Sequence, residues 1–480
     1  MAKRILAVVV AAALAANAVL SAHGPGANAD TPPGVGRCTT DPAPTHEPLV
    51  PKTLEVPIPY PAVTAVPVPG PQPAPTRTTQ ALPPDPCTDP CPDLTAEPPE
   101  SSLSSELRIP QLRLSPKPFY FNFPLPGPAP GAPPPPRAHP PVDPAPRTAA
   151  PPPPRIGPVT EVAKETGKHS INRTDKRWQV HGTDLGIMWE SKPGEVAIAF
   201  GDTVGRNFHP PGGMGDDWRS NVLAFSTDTR LDDGMDIDRF VVDSRCHAAE
   251  VLPSRKLDNI EVTVIPTSGF ALGNRQFLSY MSIRTWNSLP GTMFTNHGGI
   301  AYSDDGGQTW TKDPYAQWDN IFGLAKFQVV AMVAHGDFVY LFGTPNTRLG
   351  DVGLARVPKD QVLNKSAYQY WIDGAWTPVG DAGHAATVIQ APAGELSVRY
   401  NAERAVWQMT YLDTSRAAIT LRESASPQGT WSEGAPLVSA LQYPELYGGF
   451  MHPWSRGDEL YFMLSTWSDY NVYLMRAKVF

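Results

Sequence analysis

The chain is poor in cysteine and lacks the common catalytic signatures. Its 480 residues include only four cysteines, Cys38, Cys87, Cys91 and Cys246. It contains no G-x-S-x-G elbow, Walker loop, H-E-x-x-H helix or Cys/His nucleophile signature. The histidines are scattered rather than spaced as metal ligands. These absences argue against serine hydrolases, P-loop enzymes and zinc peptidases, and we expect neither a metal nor another cofactor.

The positions of the cysteines limit what disulfides can do. Three of the four lie in the first 91 residues, so the larger part of the chain does not depend on a disulfide framework. Cys87-x-x-x-Cys91 has no second pair of zinc ligands, and we interpret it as a local disulfide. Four cysteines allow three connectivities, which the sequence leaves open.

An excess of basic residues is also missing. Lys and Arg number 39 against 47 Asp and Glu, which gives a net charge of −8 at pH 7. Binding to nucleic-acid phosphates requires a basic face. Nucleic acid is therefore not an expected partner.

Long apolar runs are absent except at the N-terminus. Lys3 and Arg4 precede an apolar stretch over residues 5–20, and Ala27-Asn28-Ala29 fits an A-x-A cleavage pattern, with Ala16-Asn17-Ala18 as a second choice. The stretch is shorter than the ~20 residues that a membrane span needs. We predict a signal peptide over residues 1–29, a secreted or cell-envelope protein, and no transmembrane segment after cleavage.

Proline is abundant and concentrated. Residues 31–160 hold 41 of the 57 prolines, including the runs 133–136 and 151–154. Proline lacks a donor N–H and fixes φ, so we predict a disordered, extended linker over residues 30–158 rather than sheets or long helices. Residues 159–480 are long enough for one large domain with a substantial core. We expect this domain to be a monomer.

Residues 161–480 are typical of an all-β fold, because short β-branched and aromatic segments alternate with Gly, Asp, Asn, Ser and Pro. Units of about four such segments begin near Asp184, Asn259, Phe327, Leu396 and Tyr447, which predicts a five-bladed β-propeller, with six blades as the alternative. The last unit lacks a strand, and residues 159–162 could supply it and close the ring. The only helix-like stretch is 359–370.

Residues 303–310, Ser-Asp-Asp-Gly-Gly-Gln-Thr-Trp, fit the Asp-box pattern S-x-D-x-G-x-T-W. The box shapes a turn between two strands of a blade, so we interpret Asp304 and Asp305 as turn residues rather than catalytic acids. Residues 426–431 resemble a degenerate second copy.

Two aspartates bracket the first predicted hairpin of the domain. Asp184 and Asp202 lie equally far in sequence from Pro193, so closing the hairpin brings both carboxylates to its open end. Like charges on neighbouring strands are destabilising, which favours a functional reason for the pair. Two carboxylates at short range are what glycoside hydrolysis requires. Either aspartate alone could equally be a turn residue.

The register of this hairpin decides whether the aspartates share a face. A two-residue turn at Pro193-Gly194 would place them on opposite faces of the sheet. A Pro-Gly type II turn suits hairpins poorly, so we predict a longer loop that keeps both on one face.

Residues that open each unit are expected at the mouth of the central tunnel, where propellers bind ligands. Glu445 is a reserve acid, whereas His181, His452 and Arg399 could equally be structural. The exposed faces of one or two tryptophans could stack on a sugar. The predicted substrate-binding residues are His181, Arg219, Asn221, Arg399, Tyr400, Asn401, Glu445, Tyr447 and His452.

Four segments of the domain resemble glycoside hydrolase family 183, formerly domain of unknown function 4185. They are residues 180–186 (Val-His-Gly-Thr-Asp-Leu-Gly), 200–203 (Phe-Gly-Asp-Thr), 219–221 (Arg-Ser-Asn) and 447–453 (Tyr-Gly-Gly-Phe-Met-His-Pro). The resemblance implies a five-bladed propeller with endo-D-arabinanase activity, and Asp184 and Asp202 match the motifs of the family's catalytic aspartates. The proline-rich segment and signal are similar to those of exported actinobacterial wall proteins, which implies a mycobacterial or related source.

The function that follows is a secreted endo-acting glycosidase. Its expected substrate is the arabinofuranosyl linkage of D-arabinan in cell-wall arabinogalactan and lipoarabinomannan. One aspartate would protonate the leaving oxygen while the other activates water or attacks the sugar, and the sequence does not assign which is which. The alternative is a non-catalytic propeller that binds wall polysaccharide or a protein partner; a sialidase-like activity is less well supported.

Overall fold

The structure is a computed structural model that describes residues 53–62, 111–120, 150–286 and 293–480, apart from 322, 324, 347, 379–381 and 391. The Cys87–Cys91 pair and the signal peptide lie outside the described residues. Within the proline-rich segment, β1 (Thr53–Ala62) pairs in parallel with β2 (Gln111–Tyr120), where the sequence predicted extended chain rather than sheet. A two-stranded sheet has only edge strands, which tolerate proline.

The rest of the described chain is almost entirely β-structure, arranged as five antiparallel sheets that we number as blades I–V. Blade I contains β4 (Leu185–Lys192), β5 (Glu195–Phe200), β8 (Val222–Ser226) and β9 (Arg239–Phe240). Blade II contains β12 (Thr263–Leu272), β13 (Arg275–Trp286), β14 (Met293–Ser303) and β15 (Thr311–Asp319). Blade III contains β16 (Val329–His335), β17 (Phe338–Thr344), β18 (Val352–Pro358), β19 (Gln369–Ile372), β20 (Ala375–Pro378) and β21 (Thr387–Ile389).

Blades IV and V complete the ring. Blade IV contains β22 (Ala393–Asn401), β23 (Val406–Asp413), β24 (Ala418–Ser424) and β25 (Ala435–Ser439). Blade V contains β26 (Leu446–Met451), β27 (Glu459–Thr466), β28 (Asn471–Val479) and β3 (Ile156–Lys164). The prediction of a five-bladed propeller is therefore confirmed, and each predicted unit begins within four residues of an inner strand.

The ring closes through its first strand. β3 pairs antiparallel with β28, with Lys164 opposite Tyr473, and supplies the fourth strand of blade V. Thus the strand expected near residues 159–162 is present, although it begins at Ile156.

Several short elements lie between the main strands of the blades. Two small sheets pair β6 (Thr203–Val204) with β7 (Trp218–Arg219), and β10 (Val242–Ser244) with β11 (His247–Ala248). One helical turn, α1 (Thr174–Trp178), precedes blade I and was not predicted. The helix-like stretch 359–370 is instead two 3₁₀ turns, Lys359–Gln361 and Lys365–Ala367, followed by the start of β19, and a third 3₁₀ turn spans Ala382–His384.

Hydrophobic packing between blades holds the ring together. The inner strands contact one another in the order β4, β12, β16, β22, β26 and back to β4. The largest core cluster joins residues of all five blades, including Trp189, Trp310 and Phe462. Inward faces of neighbouring sheets bury each other here, as expected for stacked sheets.

The Asp-box has the structural role that its sequence predicts. Asp305 accepts hydrogen bonds from the Thr309 backbone N–H at 2.9 Å and from the Thr309 hydroxyl at 2.6 Å. Trp310 donates from Nε1 to the Gly307 carbonyl at 3.0 Å and is buried. Asp304 forms a surface ion pair with Arg275.

Among the described residues, no helix is long and apolar enough to cross a bilayer. Cys246 is buried and disulfide-bonded. The other three cysteines lie outside the described residues.

Candidate active site at the mouth of the propeller

A cavity of about 620 Å³ opens where the inner strands begin. Asp184 directly precedes β4, Asp202 follows β5, and both line this cavity. Glu445 and Tyr447, at the start of β26, line it as well. The topology thus brings these four predicted site residues together.

The hairpin between β4 and β5 differs from the expected one. Lys192 pairs with Glu195, so Pro193-Gly194 is a two-residue turn and the predicted longer loop is wrong. Irregularities between Leu185 and Ile187 and between Glu190 and Lys192 shift the register of β4. Such bulges re-aim side chains at the end of a strand, and both aspartates consequently line one cavity despite the short turn.

Asp184 faces Gly201 rather than Asp202 across the hairpin. The Gly201 N–H donates to the Asp184 carbonyl at 3.2 Å. The Asp184 carboxylate lies over this glycine, because a Cβ at position 201 would come closer than 3.0 Å to Asp184 Oδ1. Glycine is therefore needed here to leave room for the carboxylate.

Asp184 is held by tyrosines from blade V. Tyr447 donates its hydroxyl to Asp184 Oδ2 at 3.0 Å, and the buried Tyr470 also hydrogen-bonds to Asp184. Burial raises the pKa of the Asp184 carboxyl to about 8, and the negative charges of Asp202 and Glu395 push it in the same direction. Asp184 therefore retains its proton at neutral pH.

Asp202 has different partners. Thr263, the first residue of β12, donates its hydroxyl to Asp202 Oδ1 at 2.6 Å, and Trp218 Nε1 donates to the same oxygen at 3.0 Å. Burial raises the pKa of Asp202 to about 7, while these two hydrogen bonds favour the ionised form. Asp202 thus accepts two hydrogen bonds that favour its anion, whereas Asp184 is hydrogen-bonded by tyrosine hydroxyls.

An ion pair that sequence reasoning missed completes the polar side of the cavity. Arg348, between β17 and β18, donates from Nε to Glu395 Oε1 at 2.7 Å. Its guanidinium lies 5.4 Å from the centre of the Tyr447 ring. Glu395 Oε2 is buried without a hydrogen-bond partner. The two residues come from blades III and IV, so no local sequence pattern links them to the aspartates.

Two predicted binding residues of blade I are structural. Arg219 is buried, donates to the carbonyls of Ala248 and Gln179, and pairs with Asp217 at 3.3 Å. Asn221 is fully buried and exchanges hydrogen bonds with the backbone of residues 251–252 and 264. His181 does not line the cavity, and its backbone N–H donates to the Val204 carbonyl.

The other predicted binding residues lie at the far ends of their strands. Strand β22 contributes Glu395 to the cavity and ends with Arg399, Tyr400 and Asn401. At ~3.3 Å per residue, Arg399 lies roughly 13 Å from Glu395 along the strand. Arg399 donates to Gln408 and to the Ser455 carbonyl. Tyr400 packs 4.4 Å from the His335 ring centre.

His452 follows the far end of β26 and is fully buried. Its Nδ1 accepts the Trp454 N–H at 3.2 Å, and burial lowers its pKa to about 3. His452 is therefore a neutral core residue, and it does not line the cavity.

No group of three His, Cys, Asp or Glu side chains suited to hold a metal ion occurs in the described part of the chain. Two buried aspartates with raised pKa values line the cavity, and the chemistry that such carboxyls offer is proton transfer. One carboxyl that keeps its proton beside another that ionises is the arrangement of acid–base catalysis.

Comparison with solved structures gives distant likenesses. A Bacteroides ovatus protein has a TM-score of 0.46 at 14% identity, covering 63% of this chain and 87% of its own. A family 117 glycoside hydrolase produced by Zobellia galactanivorans has a TM-score of 0.42 at 12% identity, covering 68% and 90%. An exo-beta-1,3-galactanase from Phanerochaete chrysosporium has a TM-score of 0.40 at 10% identity, covering 66% and 63%.

Sequence comparison finds fungal relatives. Notoamide biosynthesis cluster protein J of Aspergillus sp. (strain MF297-2) is 33% identical over 317 residues, which is 61% of this chain and 82% of the relative. Protein J' of Aspergillus versicolor is 32% identical over 314 residues, covering 61% and 83%. The family model described as "Domain of unknown function (DUF4185)" matches residues 169–476, which include all inner strands of the propeller. The chain therefore belongs to the DUF4185 family.

Proposed function

We propose that the protein is a secreted glycoside hydrolase that cleaves arabinofuranosyl linkages within D-arabinan. The observation that carries the proposal is the pair of aspartates, Asp184 and Asp202, that line one cavity, both with pKa values raised by burial and with different hydrogen-bond partners. The resemblance of the surrounding segments to glycoside hydrolase family 183 supports the choice of sugar. The actinobacterial source implied by that resemblance stays an expectation, since the curated relatives above are fungal.

Asp184 is the acid in this proposal. Its carboxyl keeps a proton at neutral pH because it is buried near two other carboxylates. It protonates the leaving oxygen as the glycosidic C–O bond breaks. The Tyr447 hydroxyl, 3.0 Å from Oδ2, holds the carboxyl in place and favours the anion that proton transfer leaves.

Asp202 is the base. Its Oδ1 is fixed by Thr263 and Trp218, which orients the carboxylate. Asp202 takes a proton from water, whose oxygen forms the new bond to the anomeric carbon, so one water is consumed per linkage. We propose inversion at that carbon, by analogy with other propeller furanosidases; the anomer of the first product, read by NMR, tests this.

The test is digestion of purified arabinogalactan with products sized. The wild-type protein should release oligosaccharides, and Asp184→Asn and Asp202→Asn should each lower the rate by about 10²- to 10⁴-fold. Asp304→Asn is the matched control, because Asp304 lies in the surface turn of the Asp-box.

Near wild-type hydrolysis by both site variants would refute the assignment of the acids. Binding of arabinogalactan without release of products would favour the alternative, a non-catalytic wall-binding propeller. Export is tested separately by N-terminal sequencing of the mature protein, which should begin after residue 29.

A further inference from the structure

The cavity has two unlike walls. Blades I, IV and V present carboxylates and tyrosine hydroxyls, and Arg348 from the β17–β18 loop of blade III joins them. Another part of the lining, from blade II and the start of blade III, is formed by Val262, Ile265, Pro266, Met281, Met293 and Val329. None of these six side chains carries an N–H, an O–H or an oxygen atom. Thr267 of blade II lines the cavity as well, but its hydroxyl is hydrogen-bonded to Ser279 at 2.7 Å. The change from polar to apolar occurs within one cavity of about 620 Å³.

An unsubstituted sugar gains little free energy from contact with the apolar wall. Each sugar hydroxyl that leaves water needs a new hydrogen-bond partner, and a hydroxyl buried without one costs free energy. A sugar ring can find such partners beside the aspartates and Arg348. A group seated against Met281 and Val329 gains only if it is apolar.

The rim of the mouth continues the apolar wall. Each inner strand begins at the mouth, and neighbouring strands of a blade run in opposite directions. The connections between blades therefore lie at the mouth, and so do the loops that join the second strand of a blade to the third. Most of the exposed large apolar side chains of the described residues lie in these segments, among them Met214, Ile260, Trp286, Ile321 and Leu349. Met214 and Trp286 also line the cavity.

We propose that the substrate is amphiphilic: an arabinofuranosyl glycan or glycoside that carries an aliphatic group next to the bond that is cut. The sugar lies against Asp184 and Asp202, and the aliphatic group lies against the wall of blades II and III and leaves past Trp286. This substrate class rests on the proposed glycosidase function. An aliphatic substituent would also explain why Met281 and Met293 line the cavity, because flexible thioether side chains adapt to an alkyl group of variable shape.

The test uses methyl, butyl and octyl D-arabinofuranosides of both anomers, below their micelle concentrations. Binding is measured by calorimetry to the Asp184→Asn protein, and hydrolysis is measured with the wild type. Each added methylene should tighten binding by about 3- to 4-fold until the wall is covered. Octyl glucoside shows whether the sugar is also recognised, and it should bind more weakly than octyl arabinofuranoside.

Variants locate the apolar group. Met281→Gln should remove most of the gain from butyl to octyl, whereas Met332→Gln, an equally buried methionine outside the cavity, should keep it. Trp286→Ala and Tyr315→Ala form a second pair of test and control variants. Both substitutions should leave the core intact, because Trp286 is 43% exposed and Tyr315 is 72% exposed. Only Trp286→Ala should weaken binding of the octyl compound.

The two proposals fail in different ways. Equal affinity for methyl and octyl compounds, or equal effects of the paired variants, overturns the aliphatic site even if hydrolysis occurs. Chain-length-dependent binding that responds to Met281→Gln, with no hydrolysis of any arabinofuranoside or arabinan, supports the aliphatic site and overturns the proposed glycosidase.

Discussion

Asp184 and Gly201 form a matched pair across the first hairpin, because the Asp184 carboxylate occupies the space where a side chain at position 201 would lie. Gly201→Ala should therefore displace the carboxylate while leaving the fold intact. Misplacing a catalytic group by about 1 Å can cost on the order of 100-fold in rate. Steady-state kinetics should show this loss in kcat.

Gly353→Ala is the control for that substitution. Gly353 lies in blade III, and the closest atom to an added Cβ there is Cδ of the flexible Lys326 side chain, at 3.1 Å. The kcat of the Gly353→Ala protein should match that of the wild type. An unaltered kcat in Gly201→Ala would show that the Asp184 carboxylate need not lie over Gly201.

The pH dependence of hydrolysis should follow the two aspartates. In the proposed mechanism Asp202 acts in its ionised form, with a pKa of about 7, and Asp184 acts in its protonated form, with a pKa of about 8. The profile of kcat/KM should therefore rise up to pH about 7 and fall above pH about 8.

Two substitutions should move the alkaline limb of that profile in opposite directions. Tyr447→Phe removes a hydrogen bond that lowers the pKa of Asp184, so the limb should shift to higher pH. Glu395→Gln removes a negative charge that raises this pKa, so the limb should shift to lower pH. Shifts of the same sign would show that Asp184 is not the acid.

His452 should make the fold sensitive to acid. Its pKa is about 3 in the folded state and near 6.5 when exposed, so the unfolded chain binds the extra proton between these values. Stability should fall as pH drops from about 6.5 towards 3, by up to about 1.4 kcal/mol per pH unit from this group. Denaturant unfolding of wild type and His452→Gln should show a shallower pH dependence in the variant, whereas the exposed His209→Gln should behave as wild type.

Asn221 should matter for stability rather than for binding. Its amide joins the backbone of residues 251–252 to Val264 in β12 through four hydrogen bonds. Asn221→Ala leaves buried backbone groups unpaired and should cost about 3 kcal/mol or more in the free energy of unfolding. The exposed Asn364→Ala should cost far less. An increased KM in the Asn221→Ala protein, with an unchanged free energy of unfolding, would instead indicate a role in substrate binding.

Ring closure sets the minimal length of the domain. A protein that begins at residue 150 retains β3 and should unfold in one cooperative transition with wild-type activity. One that begins at residue 166 lacks β3, leaves the β28 edge unpaired, and should lose both cooperative unfolding and activity. Thermal melts followed by circular dichroism compare the two, and equal melting temperatures would contradict this role of β3.

The sequence predicted the propeller well because each strand carries its own local pattern. Spacing of turns and apolar segments placed the start of every blade, and the missing fourth strand of blade V pointed to β3. It predicted the hairpin register poorly, because the irregularities in β4 leave no local pattern in the sequence. The first of them lies at Gly186, where a side chain would crowd Met463 and Val472 of blade V.

The site was predicted only in part, for a geometric reason. Alternation along a strand shows which face a residue occupies, but not which end of the strand meets the ligand. Arg399 and His452 were therefore grouped with Asp184, although they lie at the opposite ends of their strands. Arg348 and Glu395 belong to different blades, and only the closed ring brings them to Asp184.

The pairing of β3 with β28 also has a consequence for biogenesis. The partners Lys164 and Tyr473 are separated by about 300 residues, and at roughly 10 residues per second the ribosome needs on the order of 30 s to make them both. The last blade can therefore assemble only after β28 has been made, long after β3. Until then the nascent chain lacks a closed ring, and the cavity at the mouth of the propeller is incomplete.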